Sequence, residues 1–520
     1  ILSTESNRVQ IADGVIAEIG DSHVCVSFGK KLKLSRNYSG STESDLLKQS
    51  WRIDKDEVTT MFAIMRYNLV QLFFPDERCS NLRKLIVDLE MPKFDSGCSF
   101  TQDPALSYAS SEKNLNVDQR QAILKILTAK NYALILGMPG TGKTSMLVYA
   151  VKALLMRGSS ILLTSHTNSA VDNLLIKLKV QGIDFVRIGR FEAVHEEIRE
   201  KCLSGTEMTS TKSIKERLDS VKIVAVTCLG ITSPLLSSKS FDVCIMDEAG
   251  QITMPVSLGP LMMASKFVLV GDHYQLPPLV QSPEAKESGM SVSLFSRLSE
   301  SHPHAIAALH VQYRMCEDIM QLSNALIYGN RLRCGSPEVA NAKLEYRNST
   351  SILPGWLVEV LNPDLPVIFI NTDLLPAYER NVQKAINNPT EASIIAEVTK
   401  SLLLRGIEEK DIGIITPYNS QANLIRESVP ATVETHTIDK YQGRDKDCIL
   451  LSFVRCGEKN VRNNASLLGD WHRINVALTR AKKKVIMVGS CRSLSRVPLL
   501  KLMIEKVEEL RGVLGVTDED

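Results

Sequence analysis

Residues 137–144 read GMPGTGKT and match the spacing G-x-x-x-x-G-K-[ST]. In that pattern glycines let successive backbone N–H groups curl around an anion, and a helix starting there adds its positive pole. Gly137, Pro139, Gly140, Thr141 and Gly142 would wrap the phosphates of a nucleotide, with Ser145 closing the cradle. Lys143 would neutralise the phosphates, and the Thr144 hydroxyl would ligate magnesium. Further along, VCIMDEAGQ places Asp247 and Glu248 behind a short apolar run. That puts both carboxylates at the carboxyl end of a buried strand, where open parallel sheets bind ligands. Asp247 suits a magnesium shell, and Glu248 suits orienting or deprotonating an attacking water. An acidic pair alone is an ordinary surface feature. Downstream of a phosphate loop it implies nucleoside-triphosphate hydrolysis.

These residues need rigid elements to hold them. Short apolar runs alternate with amphipathic stretches: ALIL at 133–136, ILLT at 161–164, IVAVT at 223–227, VCIMD at 243–247 and FVLVG at 267–271. A second set comes later, with VIFIN at 367–371, GIIT at 413–416, CILLSF at 448–453 and KVIMVG at 484–489. Buried strands each followed by a helix predict parallel sheets covered on both faces. The expected architecture is α/β, two tandem domains with parallel sheets at 111–306 and 307–497. Before them come a partial β-barrel at 1–52 and a helical stalk and linker at 53–110, with a polar stretch at 96–111. A C-terminal helix and acidic tail occupy 498–520. In the barrel fragment, runs at 15–19 and 24–28 alternate around a turn at 20–22 and predict a hairpin. Residues 56–74 carry Val58, Met61, Met65, Leu69 and Leu72 at helical spacing, so a packed amphipathic helix is expected. Lys30, Lys31, Lys33 and Arg36 read as a solvated basic face.

Composition bounds these readings. A chain of 520 residues exceeds one ordinary core, and several domains are expected. Lys and Arg total 61 against 59 Asp and Glu, a balance that excludes binding by bulk positive charge but permits a local basic groove. Eleven cysteines, an odd number without a C-x-x-C pair, fit reduced thiols in an intracellular protein; Cys228 and Cys244 lie in apolar runs and belong to the core. No membrane span is expected, because Lys266 interrupts the longest apolar candidate. The start at Ile1 without a leader suits a piece of a larger protein.

With further motifs in order, the chain resembles the superfamily-1 helicases, the group that includes the RNA-surveillance helicases. The resemblance spans about 115–495 and implies that the two tandem domains are RecA-like phosphate-loop domains. LNVDQRQAI offers Gln119 where the family reads adenine; SHTNSAVDNLL and GDHYQLPP resemble motifs Ia and III, with Gln275 as γ-phosphate sensor. VQYRM gives Tyr313, implied to stack on adenine, and Arg314, implied to meet the γ-phosphate. THTIDKYQGRDKD resembles motif V, placing Gly443 near the phosphates and Asp445 at the ribose; RINVALTRAKK resembles motif VI and makes Arg480 the arginine finger. Thr167, Asn168, Thr227 and Thr437 occupy motif positions implied to touch nucleic-acid phosphates.

MPGTGKT, TSHTNSAVDNLL, DEAGQITMPVSLGPL and RMCEDIMQLSNALIYGNRLR narrow the resemblance to eukaryotic replication helicase/nucleases of flap processing and end resection. That resemblance implies an ATP- and magnesium-dependent motor moving 5′ to 3′ on single-stranded or flap DNA. It also implies a single-strand-binding partner of the replication protein A type, a monomeric state, and nuclear and mitochondrial residence. The family's nuclease, with its 4Fe–4S cluster, precedes the motor; its carboxylate-lysine signature and four-cysteine cluster are expected outside this chain. Two alternatives stay open: an RNA track, and an ATP-gated clamp that does not turn over. A clamp would be marked by loss of Lys143, Glu248 or Arg480, and all three are present.

Overall fold

The structure is a computed structural model that describes residues 2–4, 10–12, 14–19, 24–28, 51–53, 59–95, 103–205, 211–348, 353–376, 379–382, 385–455 and 467–517. It forms two compact units, Ile1–Tyr67 and Asn68–Asp520. The first contains β1 (Leu2–Thr4), β2 (Gln10–Ala12), β3 (Gly14–Ile19), β4 (Val24–Phe28) and β5 (Trp51–Ile53). β1 pairs antiparallel with both β2 and β5. β3 and β4 make the hairpin that the alternation predicts, with Ile19 opposite Val24 and an irregularity between Ile16 and Glu18. The turn at 20–22 and the basic residues Lys30, Lys31, Lys33 and Arg36 lie outside the described residues.

The expected helix at 56–74 is observed as Thr59–Gln71. Leu69, expected on its packed face, is exposed, while Asn68 and Leu72 are buried. Asn68 Nδ2 donates to the Pro255 carbonyl at 2.9 Å, so a polar contact fixes the face that apolar spacing assigned one residue later. The expected polar linker at 96–111 is also corrected in part. Its second half is the helix Pro104–Ser111, capped by Asp103 and packed through Ala105, Leu106 and Ala109 into the core of the first sheet.

That sheet comprises β6 (Tyr132–Gly137), β7 (Ile161–Ser165), β8 (Val186–Arg187), β9 (Ile223–Thr227), β10 (Phe241–Met246), β11 (Ala264–Gly271) and β12 (Ile306–Leu309). The order is β12-β6-β11-β10-β7-β9-β8, and every pairing is parallel. Every residue of β6 is buried, which explains a run without polar alternation: helices cover both of its faces. The sheet extends to Leu309, past the expected boundary at 306, because β12 pairs with β6.

A short parallel pair, β13 (Val311–Gln312) and β14 (Arg333–Cys334), leads to the second sheet. There β15 (Val367–Asn371) is followed by a small antiparallel hairpin, β16 (Arg380–Val382) and β17 (Ala385–Asn387). β18 (Ile412–Thr416), β19 (Glu434–Thr437), β20 (Lys446–Ser452), β21 (Ala481–Gly489) and β22 (Val513–Gly515) complete the set. The order is β19-β18-β20-β21-β15-β22, again all parallel. β22 lies in the expected tail: helix Pro498–Glu509 buries Leu500, Met503 and Val507 and returns the chain to pair Leu514 with Ile370. The architecture is α/β with two tandem parallel sheets. Among the described residues no helix is long and apolar enough to cross a membrane.

Candidate nucleotide and nucleic-acid site

β6 delivers the chain into the glycine loop with Gly137 as its last residue. Gly140 and Gly142 adopt φ of 72° and 76°, left-handed values that a side chain would resist. Helix Lys143–Met156 starts at Gly142 with no side-chain cap, so its first N–H groups remain for an anion. Pro139 and Thr141 are buried. Thr141 Oγ1 donates to the Met138 carbonyl at 2.7 Å and braces the curl of the loop. Thr144 is half-buried, and exposed Ser145 accepts a bond from Lys177 Nζ at 3.3 Å. Lys143 Nζ lies 3.9 Å from Glu248 Oε1.

The acid pair comes directly after β10, whose neighbour β7 holds it in place: the Asp247 N–H donates to the Thr164 carbonyl at 2.9 Å. Burial pushes the Asp247 carboxyl up to about 7, Glu248 adds to the rise, and Lys143 opposes it. A buried oxygen donor with that preference, beside a phosphate loop carrying the Thr144 hydroxyl, fits a hard divalent cation that would restore its charge. Glu248 has φ 53° and ψ 36°, a left-handed conformation costing a non-glycine residue about 1–2 kcal/mol, so the turn is held by its surroundings. Gln251 Nε2 donates to Glu248 Oε2 at 3.1 Å and fixes where that carboxylate points. Gln275, 4% exposed, donates its amide to Asp272 Oδ2 at 2.9 Å.

At the base end the expected reader of adenine is already engaged. Gln119 Oε1 accepts from the Asn116 N–H at 3.1 Å, and Gln119 Nε2 donates to the Thr141 carbonyl at 3.1 Å. Its amide ties the base end to the phosphate loop. Asn116, which sequence reasoning missed, donates to the Tyr313 hydroxyl at 3.0 Å. Its signal was an N-x-x-Q capping box ahead of an amphipathic run, and the box forms around helix Val117–Thr128. Tyr313 is 47% exposed and leans on Gly335, where a Cβ would stand 2.2 Å from its ring. That exposed ring is free to stack on a base.

Two guanidinium groups come from beyond the first sheet, Arg314 just after β13 and Arg480 just ahead of β21. Gly140 is required here again, since a Cβ on it would stand 2.7 Å from Arg314 Cβ. Arg314 pairs with Asp445 at 3.1 Å and donates to the Thr479 carbonyl at 3.1 Å. Asp445 also pairs with Lys482 at 2.7 Å, so the carboxylate expected at the ribose instead holds cations. Arg480 is 2% exposed and donates to Val476 O at 3.0 Å, Arg444 O at 3.4 Å and Thr479 Oγ1 at 3.0 Å. Among the described residues no carboxylate pairs with it. Burial, then the neighbouring Arg314, push Arg480 down to about 9. Glu248 on the first sheet acts on both guanidiniums to keep them charged. Gly443, φ 79°, lies in the turn before β20.

The four candidates for nucleic-acid contact divide. Thr167 caps helix Asn168–Val180 by accepting from the Ala170 N–H at 3.3 Å. Asn168 Oδ1 accepts from Arg187 Nη2 at 2.7 Å, and that buried arginine pairs with Asp172 at 2.8 Å. These two side chains are partly spent within the chain. Thr227 and Thr437 end β9 and β19 at the carboxyl edges of their sheets.

Sequence comparison bears on this cleft. A family described as an AAA domain matches residues 114–210 and 204–283, and a second family of the same description matches 290–492. A DNA replication ATP-dependent helicase/nuclease of Arabidopsis thaliana is 64% identical over 521 residues, covering 100% of this chain and 39% of its own. The protein of that name from Xenopus laevis is 42% identical over 530 residues, covering 97% of this chain and 48% of its own. The one from Schizosaccharomyces pombe is 40% identical over 549 residues, covering 100% and 38%. The chain belongs to this helicase/nuclease family. It spans less than half the length of these relatives. The family implies use of ATP and magnesium, for which the cleft provides the phosphate loop, the acid pair and the two arginines.

Proposed function

We propose that this chain is the motor of a helicase/nuclease: an ATP-driven translocase on single-stranded DNA that moves 5′ to 3′. The observation carrying this reading is the meeting of the acid pair Asp247 and Glu248, with Lys143 beside it, and the guanidinium groups Arg314 and Arg480 from beyond the first sheet. The helix N-terminus and Lys143 bind the phosphates. Glu248, aimed by Gln251, orients the attacking water and takes its proton. Magnesium, held by Thr144 and Asp247, would supply charge neutralisation on the phosphates. Arg314 and Arg480 meet the charge that develops on the transferred group, a contribution of about 10³–10⁵ in rate for such fingers. Because Arg480 precedes β21 of the other sheet and Arg314 is bonded to Asp445 and Thr479 there, turnover is tied to the arrangement of the two sheets, and a gripped strand is moved as that arrangement changes. Thr227 and Thr437, with Thr167 and Asn168 nearer their helix, supply phosphate contacts that are indifferent to base order.

The similarity to DNA replication helicase/nucleases favours DNA as the track. In the whole protein we place this motor in Okazaki flap processing, end resection and fork repair. Its nuclease and 4Fe–4S cluster would lie outside this chain, and a replication protein A-type protein would be its partner on the strand. We assign it to the nucleus and mitochondrion, acting as a monomer. The test is ATP turnover by this chain with single-stranded DNA, with RNA of the same sequence, and with neither, using Lys143→Ala as the inactive control. Stimulation by DNA well above RNA is expected. Equal or greater stimulation by RNA moves the track to RNA, and turnover at control level in all three leaves the clamp.

A further inference from the structure

Between the two sheets lies a buried polar cluster whose central members, Asp272, Tyr328 and Asn475, have no part in the proposed hydrolytic chemistry. Asp272, 3% exposed, comes directly after β11, and its carboxylate accepts from Gln275 Nε2 at 2.9 Å, the Tyr274 N–H at 2.9 Å and the Tyr328 hydroxyl at 3.0 Å. Tyr328, fully buried, closes the π-helical turn Asn324–Tyr328 on the side of the second sheet. Its oxygen accepts from Asn475 Nδ2 at 2.8 Å, and the same amide donates to the Tyr274 carbonyl at 2.7 Å. Asn475 lies on helix Trp471–Leu478, just ahead of Arg480. From there the bonds continue: Thr479 Oγ1 donates to the Asn475 carbonyl at 2.8 Å and accepts from Arg480 Nη2 at 3.0 Å. Two hydrogen-bonded runs thus meet at Asn475, one at its side-chain amide and one at its backbone carbonyl, and together they link Gln275 after β11 to Arg480 ahead of β21.

Each group is used in the only direction its chemistry allows. Burial and the adjacent Asp272 keep the Tyr328 hydroxyl protonated, so it donates to the carboxylate and accepts from the amide. Removing one member leaves a buried polar atom unpaired, which makes the series cooperative. The Tyr274 ring stands edge-on to Tyr328 at 5.6 Å and 6.3 Å from Trp471, with the Arg331 guanidinium 4.6 Å from its centroid. These rings hold the hydroxyl in place. Single π-turns recur where a helix must aim a side chain at a functional position.

We infer that Tyr328 is a positioning residue that couples Gln275, bonded to Asp272 after β11, to Arg480 ahead of β21, so that strand-stimulated hydrolysis depends on its hydroxyl and nucleotide binding does not. This rests on the motor reading proposed for the chain. Tyr328→Phe keeps the ring and removes only the hydroxyl. In the variant, DNA-stimulated kcat should fall about 10-fold or more, within the range of ordinary coupling between sites, while unstimulated kcat and the KM for ATP stay within about 2-fold. Asn475→Ala breaks the same series from the other side. It should lower the stimulated rate similarly, and the double variant should be no worse than either single. A stimulated rate at the parental level, additive losses, or an equal fall in the unstimulated rate would each overturn the inference. Should Tyr328→Phe not fold, the ratio of stimulated to unstimulated turnover in Asn475→Ala decides by the same criteria. A parent chain that no DNA strand stimulates would overturn the motor reading and this inference together. A stimulated parent with unaffected variants overturns the inference alone.

Discussion

The two sheets share one architecture yet would contribute to the proposed nucleotide site with opposite ends. The first presents the segments that leave its strands: the phosphate loop after β6, the acid pair after β10 and the Asp272 turn after β11. The second presents the segments that enter its strands: Asp445 ahead of β20 and Arg480 ahead of β21. On leaving a parallel strand, the chain reaches an open edge with free helix N-termini, a ready place for anions. At the entry to a strand there is no such pole, so the second sheet must bring charge on long side chains. Each sheet holds a charge that its surroundings disfavour, with Asp247 pushed up to about 7 and Arg480 down to about 9. The difference separates binding, built into the backbone of the first sheet, from triggering, carried by side chains of the second.

The strongest way to break this division is Glu248→Gln. It leaves the phosphate loop intact, so ATP should still bind, while hydrolysis falls by about 10³ through loss of the base. Isothermal titration with ATP and steady-state turnover measure the two sides; turnover at the parental rate would remove Glu248 from the chemistry. Arg480→Lys strikes the triggering side. Lysine keeps the charge but lacks the planar fork, so strand-stimulated hydrolysis should fall about 100-fold with ATP affinity nearly unchanged. A matching loss of affinity would mean that the second sheet shares in binding.

The smallest effect sharpens the comparison at the other end of the second sheet. Beyond β20, fully buried Glu391 accepts from Ser452 Oγ at 2.7 Å and the Val454 N–H at 2.8 Å, and burial pushes its carboxyl up to about 7. A carboxyl whose folded pKa is raised binds its proton more tightly when folded. Its stability contribution is therefore complete below the ordinary glutamate value and is lost as pH rises through about 7. Glu391→Gln should flatten that loss, so thermal melts from pH 5 to 8 should show the variant gaining on the parent by about 2–4 °C before levelling off. A constant offset across the range would mean the carboxyl does not titrate there.

Both sheets were legible in the sequence wherever strands are buried on both faces, because such strands are nearly pure apolar runs. β8, β12, β19 and β22 were not. β19 reads ETHT, β8 has only two residues, and all four lie at sheet edges where one side lacks a neighbour and apolar content is not demanded. The site divides the same way. The phosphate loop and the acid pair are local in sequence and were read directly. That Gln119 braces Thr141, that Asp445 holds Arg314, and that Arg480 is buried without a carboxylate depend on packing between distant segments, which spacing does not encode.

The pairing of β12 with β6 sets an order of events during synthesis. Ile306 lies opposite Leu134, so β6 waits as an open edge while the ribosome makes the intervening chain, and β15 likewise waits for β22 near the far end. Late, non-local closure of a parallel sheet is slow and leaves apolar edges exposed to other chains. The waiting strand is the one that carries the phosphate loop. A nascent chain arrested before residue 306 would therefore leave β6, paired with β11 on one side only, with its other edge open as a template for aggregation.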